Sequence, residues 1–350
     1  MLDNEISIQK KLENHEVMLY GLSMDYAQLS QKKQKIDGFR PLSPALVKNL
    51  DDWFRIELTY SSNAIEGNTL SRSETAVIVE KGLTVGGKSL KEHLEATNHI
   101  KALDWMKTLN TKDPKDISER DISDLQGIIL KGIDDDHAGR YRNIRVKISG
   151  SAVILPNPQK VPDLMAELIH WLSTEDKMHP IKLAGEAHFR LVSIHPFVDG
   201  NGRTARLLMN LILMMSGYPP ALIQKEDRLA YIDALEKAQL GGSRDDYHKI
   251  IMTAVDRSLD IYLNALEDKE ETAIPETAKY LRIGELAKQV KEANSTIRYW
   301  TKEGLIKIAD KTPAGYQLYF IETIERINRI KELKEKRYTL GEIKDILNME

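Results

Sequence analysis

The stretch HPFVDGNGRTAR, residues 195–206, places charged and polar side chains between two apolar segments. The apolar residues of 181–194 and 203–216 recur with a helical period, so the stretch is predicted to join two helices. Gly200 and Gly202 allow a ligand to approach the backbone closely. The free amide groups and the dipole of the second helix favour an anion at its first turn. The sequence therefore predicts an anion site between two helices.

Four side chains of this stretch indicate what the anion is. Arg203 and Arg206 lie three residues apart, on one face of the first helical turn, where they oppose the helix dipole. Such a placement favours a polyphosphate ligand. Asp199 is the one acid of the stretch and would hold Mg²⁺ through oxygen beside phosphates. His195 is suited to act as a general base near neutral pH.

The stretch matches the motif H-x-F-x-D/E-G-N-G-R-x-x-R at every position, and the chain resembles the Fic family over about residues 40–265. AGRYRNIRVKI resembles the start of that family's flap, and GYPPALI resembles the segment after its motif helix. The resemblance implies an all-α fold with a β-hairpin flap. It also implies transfer of AMP from ATP to a Ser, Thr or Tyr hydroxyl of a target protein or of the chain itself.

The resemblance also implies a role for each motif residue. His195 takes the proton of the target hydroxyl, Asp199 holds Mg²⁺, and Phe197 packs under the loop. The residues implied to bind ATP are Gly200, Asn201, Gly202, Arg203, Arg206 (nearest the γ-phosphate) and, lining the nucleoside pocket, Tyr231. A phosphate-transferring branch of the family carries Lys at the position of Gly202, so Gly favours AMP transfer. His188 is expected to be a hydrogen-bonded core histidine.

A second motif lies in SSNAIEGNTL, residues 61–70. Gly67 is typical of the residue just past a helix, so Glu66 ends a helix and opposes its dipole. Chance placement on the surface is one explanation. The stretch also matches the Fic inhibitory motif S/T-x-x-x-E-G/N with Ser62, Glu66 and Gly67. The resemblance implies that Glu66 pairs with Arg206 and blocks a productive ATP pose.

The segment 144–156 alternates apolar and polar residues around Ser149-Gly150-Ser151, which predicts a β-hairpin. In Fic proteins such a flap pairs with an extended segment of the target. The residues predicted to present backbone to the target are Val146, Lys147, Ile148 and Val153. A hairpin that only covers the core is the alternative.

Composition limits the remaining possibilities. The 350 residues contain no cysteine and carry a net charge of −3, which excludes disulfides, thiolate metal sites and a global attraction to nucleic acid. The absence of cysteine and of a signal-peptide pattern favours a cytoplasmic protein. The longest apolar stretch, ARLLMNLILMM, is too short for a membrane span. The predicted domains are a helical region at 1–110 with an inhibitory helix at about 44–66, a catalytic core at 111–265, a linker at 266–277, and a small domain at 278–350.

The last segment, about 278–348, resembles a MerR-type winged helix-turn-helix. From residue 276 onward there are 15 Lys and Arg against 12 Asp and Glu, a weakly basic balance. The residues predicted to face DNA are Ser295, Thr296, Arg298, Tyr299 and, on the wing, Tyr316. Gln317 departs from the usual basic wing residue, and the sequence stops at 350 before the usual dimerisation helix. A helical interaction module that binds no DNA is the alternative.

The predicted function is an autoinhibited protein adenylyltransferase that uses ATP and Mg²⁺, and a homodimer is expected. The sequence leaves two other functions open. One is a DNA-binding transcription regulator whose Fic domain senses nucleotide. The other is an enzyme that mainly removes AMP, with Glu66 orienting a water molecule.

Overall fold

A computed structural model of the chain describes residues 25–109, 113–270, 280–311, 317–320, 322–336 and 338–349. Helices dominate these residues, which confirms the predicted all-α class. The helices of the first part are α1 (Tyr26–Gly38), α2 (Pro44–Ile65), α3 (Arg72–Lys81), α4 (Leu90–Leu109), α5 (Glu119–Leu130), α6 (Val161–Thr174), α7 (Pro180–Ile194), α8 (Asn201–Met215), α9 (Arg228–Gln239) and α10 (Asp245–Glu270). Short 3-10 turns lie at Pro114–Asp116, Pro158–Lys160 and Lys225–Asp227.

The chain divides into two compact units between Glu267 and Asp268. The regions predicted as 1–110 and 111–265 belong to one unit, with a continuous hydrophobic core. Helix α10 runs on to Glu270, so the first residues of the predicted linker are helical. The remainder of that linker, 271–277, lies outside the described residues.

Helix α8 is the central element of the larger unit. Its residues from Leu207 to Leu213 are all buried, because neighbouring helices surround it. This explains the long apolar run ARLLMNLILMM, since a helix that is apolar on all sides is a buried one. Asn210 is accommodated by accepting a hydrogen bond from the backbone amide of Ala221 (2.9 Å). Within the described parts of the chain, no helix is both long and apolar enough to cross a membrane.

Helix α2 begins and ends as its sequence predicts. The Ser43 hydroxyl accepts from the amide of Leu46, and Pro44 occupies the first turn. Glu66 is the C-cap, and Gly67 follows with φ of +97°, a conformation that favours glycine. The backbone therefore turns sharply at the point where Glu66 faces α8.

Two helices were not predicted from the sequence. Helix α5 begins with Ser118 as N-cap, and Asp121 completes the capping box. Its apolar side chains, Ile122, Leu125 and Ile129, are fully buried. Helix α1 contributes only Leu29 and Ile36 to the core, so its apolar pattern is too sparse to identify a helix.

The segment predicted as a β-hairpin does not form one. Residues 144–156 contain the predicted turn at Ser149-Gly150, but no strand is present in either arm. The arms are held by other elements instead, as Arg142 donates to the carbonyls of Ile144 and Pro156. Backbone groups that a ladder would use are thus left for another partner. We keep the name flap for residues 143–157.

The smaller unit contains a three-stranded antiparallel sheet of β1 (Tyr280–Arg282), β2 (Asp310–Lys311) and β3 (Gln317–Phe320), in the order β1-β3-β2. Its helices are α11 (Ile283–Val290), α12 (Asn294–Lys302), α13 (Thr323–Glu335) and α14 (Leu340–Met349). Helices α11 and α12 form the predicted helix-turn-helix, and β2 and β3 form the wing. Residues 312–316, which include the Tyr316 predicted on the wing, lie outside the described residues.

Candidate active site

His195 ends helix α7 and adopts the left-handed conformation, with φ of 51° and ψ of 60°. This is uncommon for a residue with a side chain and costs on the order of 1–2 kcal/mol. Its amide donates to Leu191, and its carbonyl accepts from the Arg142 guanidinium (Nε to O, 2.7 Å). The strained backbone turns the imidazole out of the helix and into a cavity beside α8.

Burial lowers the pKa of His195 below its ordinary value. The backbone of Val192 works in the opposite direction, and Arg142 lowers the pKa further. The carboxylates of Glu66 and Asp199 raise it. Since the net effect is a lowered pKa, the ring is neutral at pH 7 and able to accept a proton.

The loop after His195 is braced from within by Asn201. Its Oδ1 accepts from the Phe197 amide and its Nδ2 donates to the Phe197 carbonyl, both at 2.9 Å. Phe197 is fully buried under the loop, as predicted. The side chain of Asn201 therefore holds the loop shape, and the phosphate contact that the resemblance implies stays a prediction.

The N-terminus of α8 has no side-chain cap. Gly200 occupies the N-cap position with φ of +79°, so its backbone requires glycine. Asp199 Oδ1 accepts from the Gly200 amide (2.6 Å), while the carboxylate is 53 % exposed. Uncapped amide groups at the first turn of a helix are free to bind an anion.

Arg206 is the best-connected side chain of the motif. It is buried, and its Nε donates to the Ser62 hydroxyl (3.0 Å). Its Nη2 donates to the Ser62 carbonyl (2.9 Å) and to Glu66 Oε1 (2.8 Å). Burial alone would lower the pKa of Arg206, but Glu66 and Tyr231 outweigh it and raise the pKa above its ordinary value. The structure thus brings Glu66 onto Arg206, the pair that the inhibitory motif implies.

Gly202, in the first turn of α8, lies beside the side chains of Glu66 and Arg206. A Cβ atom built there would lie 2.4 Å from Glu66 Oε1 and 3.2 Å from Arg206 Nη1. Only glycine lets the Glu66 carboxylate lie against the first turn of α8.

Arg203 has a partner that sequence analysis did not identify. Its Nη1 lies 3.1 Å from Oε1 of Glu95 on α4, whereas Asp199 is 3.9 Å from Nη2. Both Arg203 and Glu95 are buried. Asn68, just after the inhibitory helix, donates to Glu95 Oε2 (2.9 Å). The segment that follows Glu66 is thereby connected to the first motif arginine.

A cavity of about 470 Å³ lies in front of these residues, within the size range of ligand pockets. The motif residues that line it are His195, Asp199, Gly200, Asn201, Gly202 and Arg206, with Glu66 among them. Lys147 and Ile148 of the flap also line this cavity, while Val146 and Val153 do not. Glu236 of α9 holds the flap tip by accepting from the Ser151 hydroxyl (3.0 Å) and the Ala152 amide (2.7 Å).

Tyr231 lines the cavity but is almost wholly buried. Its hydroxyl contacts His188 Nε2 (2.6 Å), and His188 Nδ1 contacts the Tyr247 hydroxyl (2.8 Å). Burial lowers the pKa of His188 to about 3. This confirms His188 as a hydrogen-bonded core histidine. Tyr231 connects that core chain to Arg206.

Comparison with known proteins agrees with the motif. The Fic/DOC family matches residues 116–213, and the family of MerR HTH regulatory proteins matches residues 281–350. A solved fragment of Fic-1 from C. elegans is 31 % identical, with a TM-score of 0.63 over 70 % of this chain and 72 % of that one. The chain belongs to the Fic family.

Other Fic proteins are similar over the same part of the chain. A solved Fic-domain signalling protein from Bacteroides thetaiotaomicron is 29 % identical over 69 % of this chain and 98 % of its own, with a TM-score of 0.62. The protein adenylyltransferase Fic of Culex quinquefasciatus is 36 % identical over 69 % of this chain and 48 % of its own length. That of Nematostella vectensis is 39 % identical over 58 % and 48 %. The chain spans about half the length of these curated relatives.

The Fic site of this chain includes residues outside both motifs. Gln126 on α5 donates to the Asp199 carbonyl (3.0 Å) and accepts from the Gly139 amide, so it connects the motif loop to the segment before the flap. Arg228 on α9 donates to the Ile65 carbonyl (2.7 Å) and fixes the end of the inhibitory helix. Neither residue has a local sequence signal, because each acts through backbone groups far along the chain.

In the MerR-like unit, α12 presents the predicted residues on one side. Ser295, Arg298 and Tyr299 are exposed and Thr296 is half-buried, whereas Ile297 and Trp300 are buried on the other side. Gln317 is half-buried at the start of β3.

Proposed function

We propose that this Fic-family chain transfers AMP from ATP to a hydroxyl side chain of a target protein, and that Glu66 restrains the reaction. One observation supports the proposal most strongly. His195, the uncapped first turn of α8 and the Glu66–Arg206 pair line the same cavity. A base, a phosphate site and a carboxylate that occupies the phosphate-binding arginine thus lie within reach of one ligand.

The proposed reaction follows from these positions. The target hydroxyl oxygen attacks the α-phosphorus of ATP, the bond to the β-phosphate oxygen breaks, and pyrophosphate leaves with its electron pair. His195 accepts the hydroxyl proton. Its Nδ1 is buried, so Nε2 is the nitrogen available for this. Arg206 and the first amide groups of α8 stabilise the negative charge that develops on pyrophosphate.

The residues present fit a Mg²⁺ ion brought in with ATP. Asp199 is exposed at the cavity wall, and its Oδ2 lies 3.9 Å from Arg203, beyond hydrogen-bonding distance. Magnesium is commonly held by one or two carboxylates together with substrate phosphates. When bound, the ion would neutralise charge on the leaving phosphates, and Asp199 is the side chain that would hold it.

The restraint follows from occupancy of Arg206. Its Nη2 and Nε already donate to Glu66 and Ser62, so a γ-phosphate has to displace the Glu66 carboxylate. Glu66 also lies against Gly202, inside the space that phosphates would need. We infer that ATP binds in an unproductive pose until Glu66 moves.

The test compares the wild-type chain with its Glu66→Gly variant, using ATP labelled at the α-phosphate and a cell extract. We expect stronger labelling by Glu66→Gly, because Arg206 is then free for the γ-phosphate. His195→Ala in the same background should lose about 10²- to 10⁴-fold in rate while still binding Mg·ATP by calorimetry. Glu80→Gln, an exposed change on α3, is the control and should label as wild type does. Equal labelling by wild type and Glu66→Gly would contradict the restraint.

Removal of AMP is a second candidate, favoured by one observation. Glu66 is 37 % exposed and faces the cavity beside His195, a position from which a carboxylate could orient a water molecule. Incubating wild type with the labelled product of Glu66→Gly decides between them. Release of AMP that depends on Glu66 would support removal; a stable label would support addition.

For the MerR-like unit we propose DNA binding through α12. The support is the exposed face that carries Ser295, Arg298 and Tyr299 on the second helix of a helix-turn-helix. The Fic unit would then modify a target near, or bound to, that DNA.

A further inference from the structure

Arg142 is a buried cation without a carboxylate partner among the described residues. It is 3 % exposed, and its guanidinium donates only to backbone carbonyls. Nη1 and Nη2 donate to Ile144 (3.2 Å) and Pro156 (2.7 Å), one in each arm of the flap. Nε donates to the carbonyl of His195 (2.7 Å), and the backbone amide of Arg142 donates to Pro196 (2.9 Å). One residue therefore joins both arms of the flap to the start of the Fic motif.

These contacts act on a strained part of the backbone. His195 has a positive φ, so its conformation persists only where neighbouring groups impose it. Arg142 fixes the carbonyl of His195 and, through its amide, the carbonyl of the next residue. The neighbouring Tyr141 also contacts this loop, because its ring packs against that of Phe197 with centroids 5.7 Å apart.

The charge of Arg142 acts on the same histidine. A buried cation beside an imidazole disfavours the protonated ring, and Arg142 lowers the pKa of His195 in this way. The other charged groups that face His195 across the cavity are Glu66 from α2, Asp199 and Arg206 from the motif, Lys147 from the flap, and Arg228 and Glu236 from α9. Of the cations near His195 in the described part of the chain, Arg142 alone also binds its backbone.

We propose that Arg142 is a positioning residue for the transfer reaction, which holds the backbone of His195 in its reactive orientation and joins it to the flap. This role of Arg142 rests on the proposed AMP transfer only where kcat is measured; the titration and exchange measurements do not need it. Arg142 does not line the cavity, so it has no contact through which to hold ATP. A target segment that docks on the flap is thereby held in register with the base.

Two variants separate geometry from charge. Arg142→Lys keeps the charge but replaces the planar guanidinium, whose three nitrogens each bond a different carbonyl, with a single nitrogen that cannot span those three positions. Arg142→Gln removes the charge as well. In the Glu66→Gly background we expect both to lose roughly 10²-fold in kcat, as for a small misplacement of a reacting group, with an unchanged KM for ATP. Arg140→Lys and Arg140→Gln, at an exposed site two residues away, should keep the parent rate.

Histidine NMR titration gives a readout that needs no activity. His195, assigned from His195→Ala, should titrate at higher pH in Arg142→Gln than in wild type, and should stay close to wild type in Arg142→Lys. A parent-like kcat in Arg142→Lys together with an unshifted His195 in Arg142→Gln would overturn the proposal. If the Glu66→Gly parent transfers no AMP, the proposed function fails; an unshifted His195 in Arg142→Gln would then by itself overturn the role of Arg142, and a shifted His195 would support it.

A measurement on the wild-type chain covers the case in which neither variant folds. The Nε–H of Arg142, held to the His195 carbonyl, should exchange with solvent far more slowly than that of exposed Arg140. Exchange of the two groups at the same rate would overturn the proposal.

Discussion

At the scale of single residues, the two motif arginines have different partners. Arg206 is buried, but its partner carboxylate is 37 % exposed and faces the cavity, so Glu66 can move into solvent when an incoming phosphate takes over the charge of Arg206. Arg203 pairs with Glu95, and both side chains are less than a tenth exposed. Breaking a buried pair leaves an uncompensated charge, which is far more costly than breaking an exposed one. We infer that Glu66 is the mobile partner and Glu95 the fixed one.

Glu95→Gln should therefore lower the free energy of unfolding of the larger unit by about 3 kcal/mol, because Arg203 loses its buried counter-charge. Chemical denaturation followed by tryptophan fluorescence measures this, with Glu80→Gln as the control. The double variant Glu95→Gln/Arg203→Gln should lose less free energy of unfolding than the sum of the losses in the two single variants. An additive result would mean that the 3.1 Å contact contributes no coupling.

The sequence identifies only part of this site, for a physical reason. His195, Glu66 and Arg206 belong to short motifs whose spacing is set by one turn or one helix end, so local order predicts them. Glu95 and Arg142 act across the fold, and a carboxylate in mid-helix or an arginine before a flap has no distinguishing pattern. Asn201 shows what a motif leaves out: its amide also holds the loop through Phe197, a contact that the motif does not predict.

At the scale of elements, capping residues and apolar periods predict most helices, and packing decides the rest. Helix α2 has Ser43, Pro44 and Gly67 at the expected positions, so its limits follow from the sequence. Helix α5 is short, and its apolar residues alone do not distinguish it from a continuation of the loop predicted at the Pro-containing segment KDPKD, residues 112–116. The flap alternates as a hairpin would, yet its arms bind Arg142 and Glu236 instead of each other. Alternation reports which side chains are exposed, not which backbone groups pair.

Two buried histidines connect helices and make the stability of the larger unit depend on pH. His188 on α7 bonds tyrosines of α9 and α10, and His99 on α4 bonds Thr59 of α2. Burial lowers the pKa of each to about 3, while the unfolded chain protonates them near pH 6.5. The contribution of the two neutral histidines to the free energy of unfolding is therefore fully present above about pH 6.5 and is lost as the pH falls towards 3.

We expect the free energy of unfolding to fall by up to about 1.4 kcal/mol per pH unit for each histidine below pH 6.5. His188→Gln should remove one such slope, because glutamine does not titrate. Denaturant titrations at pH 7.5, 6 and 5 measure the slopes, and His170→Gln, at an exposed position of α6, is the control. A wild-type slope in His188→Gln would show that His188 is protonated in the folded chain.

At the scale of the whole molecule, the chain combines a Fic unit with a MerR-like unit of weakly basic charge. Each unit has its own hydrophobic core of buried side chains. The Fic unit carries net negative charge, because the last 75 residues are basic and the whole chain is −3. Attraction to DNA therefore has to come from a local surface of the smaller unit rather than from the overall field.

A single small unit of this charge should bind DNA weakly, in the range of about 10⁻⁴–10⁻⁶ M for a non-specific site. Tight binding would need two copies on a symmetric site, in which case linkage of the two half-sites raises the apparent affinity. We therefore expect the full-length chain to bind a palindromic site from its own promoter region more tightly than a single half-site, provided that it forms the expected homodimer.

Fluorescence anisotropy at two salt concentrations tests this, with oligomeric state measured by light scattering in the same buffers. Arg298→Ala should weaken binding and reduce the salt slope by about one phosphate contact per half-site, because Arg298 is exposed on α12. Lys336→Ala, exposed at the end of α13, is the matched loss of one positive charge and should retain the slope. Equal losses in both variants would mean that only net charge matters. Absence of salt-sensitive binding to any fragment would contradict DNA binding and favour the alternative of a helical interaction module that binds no DNA.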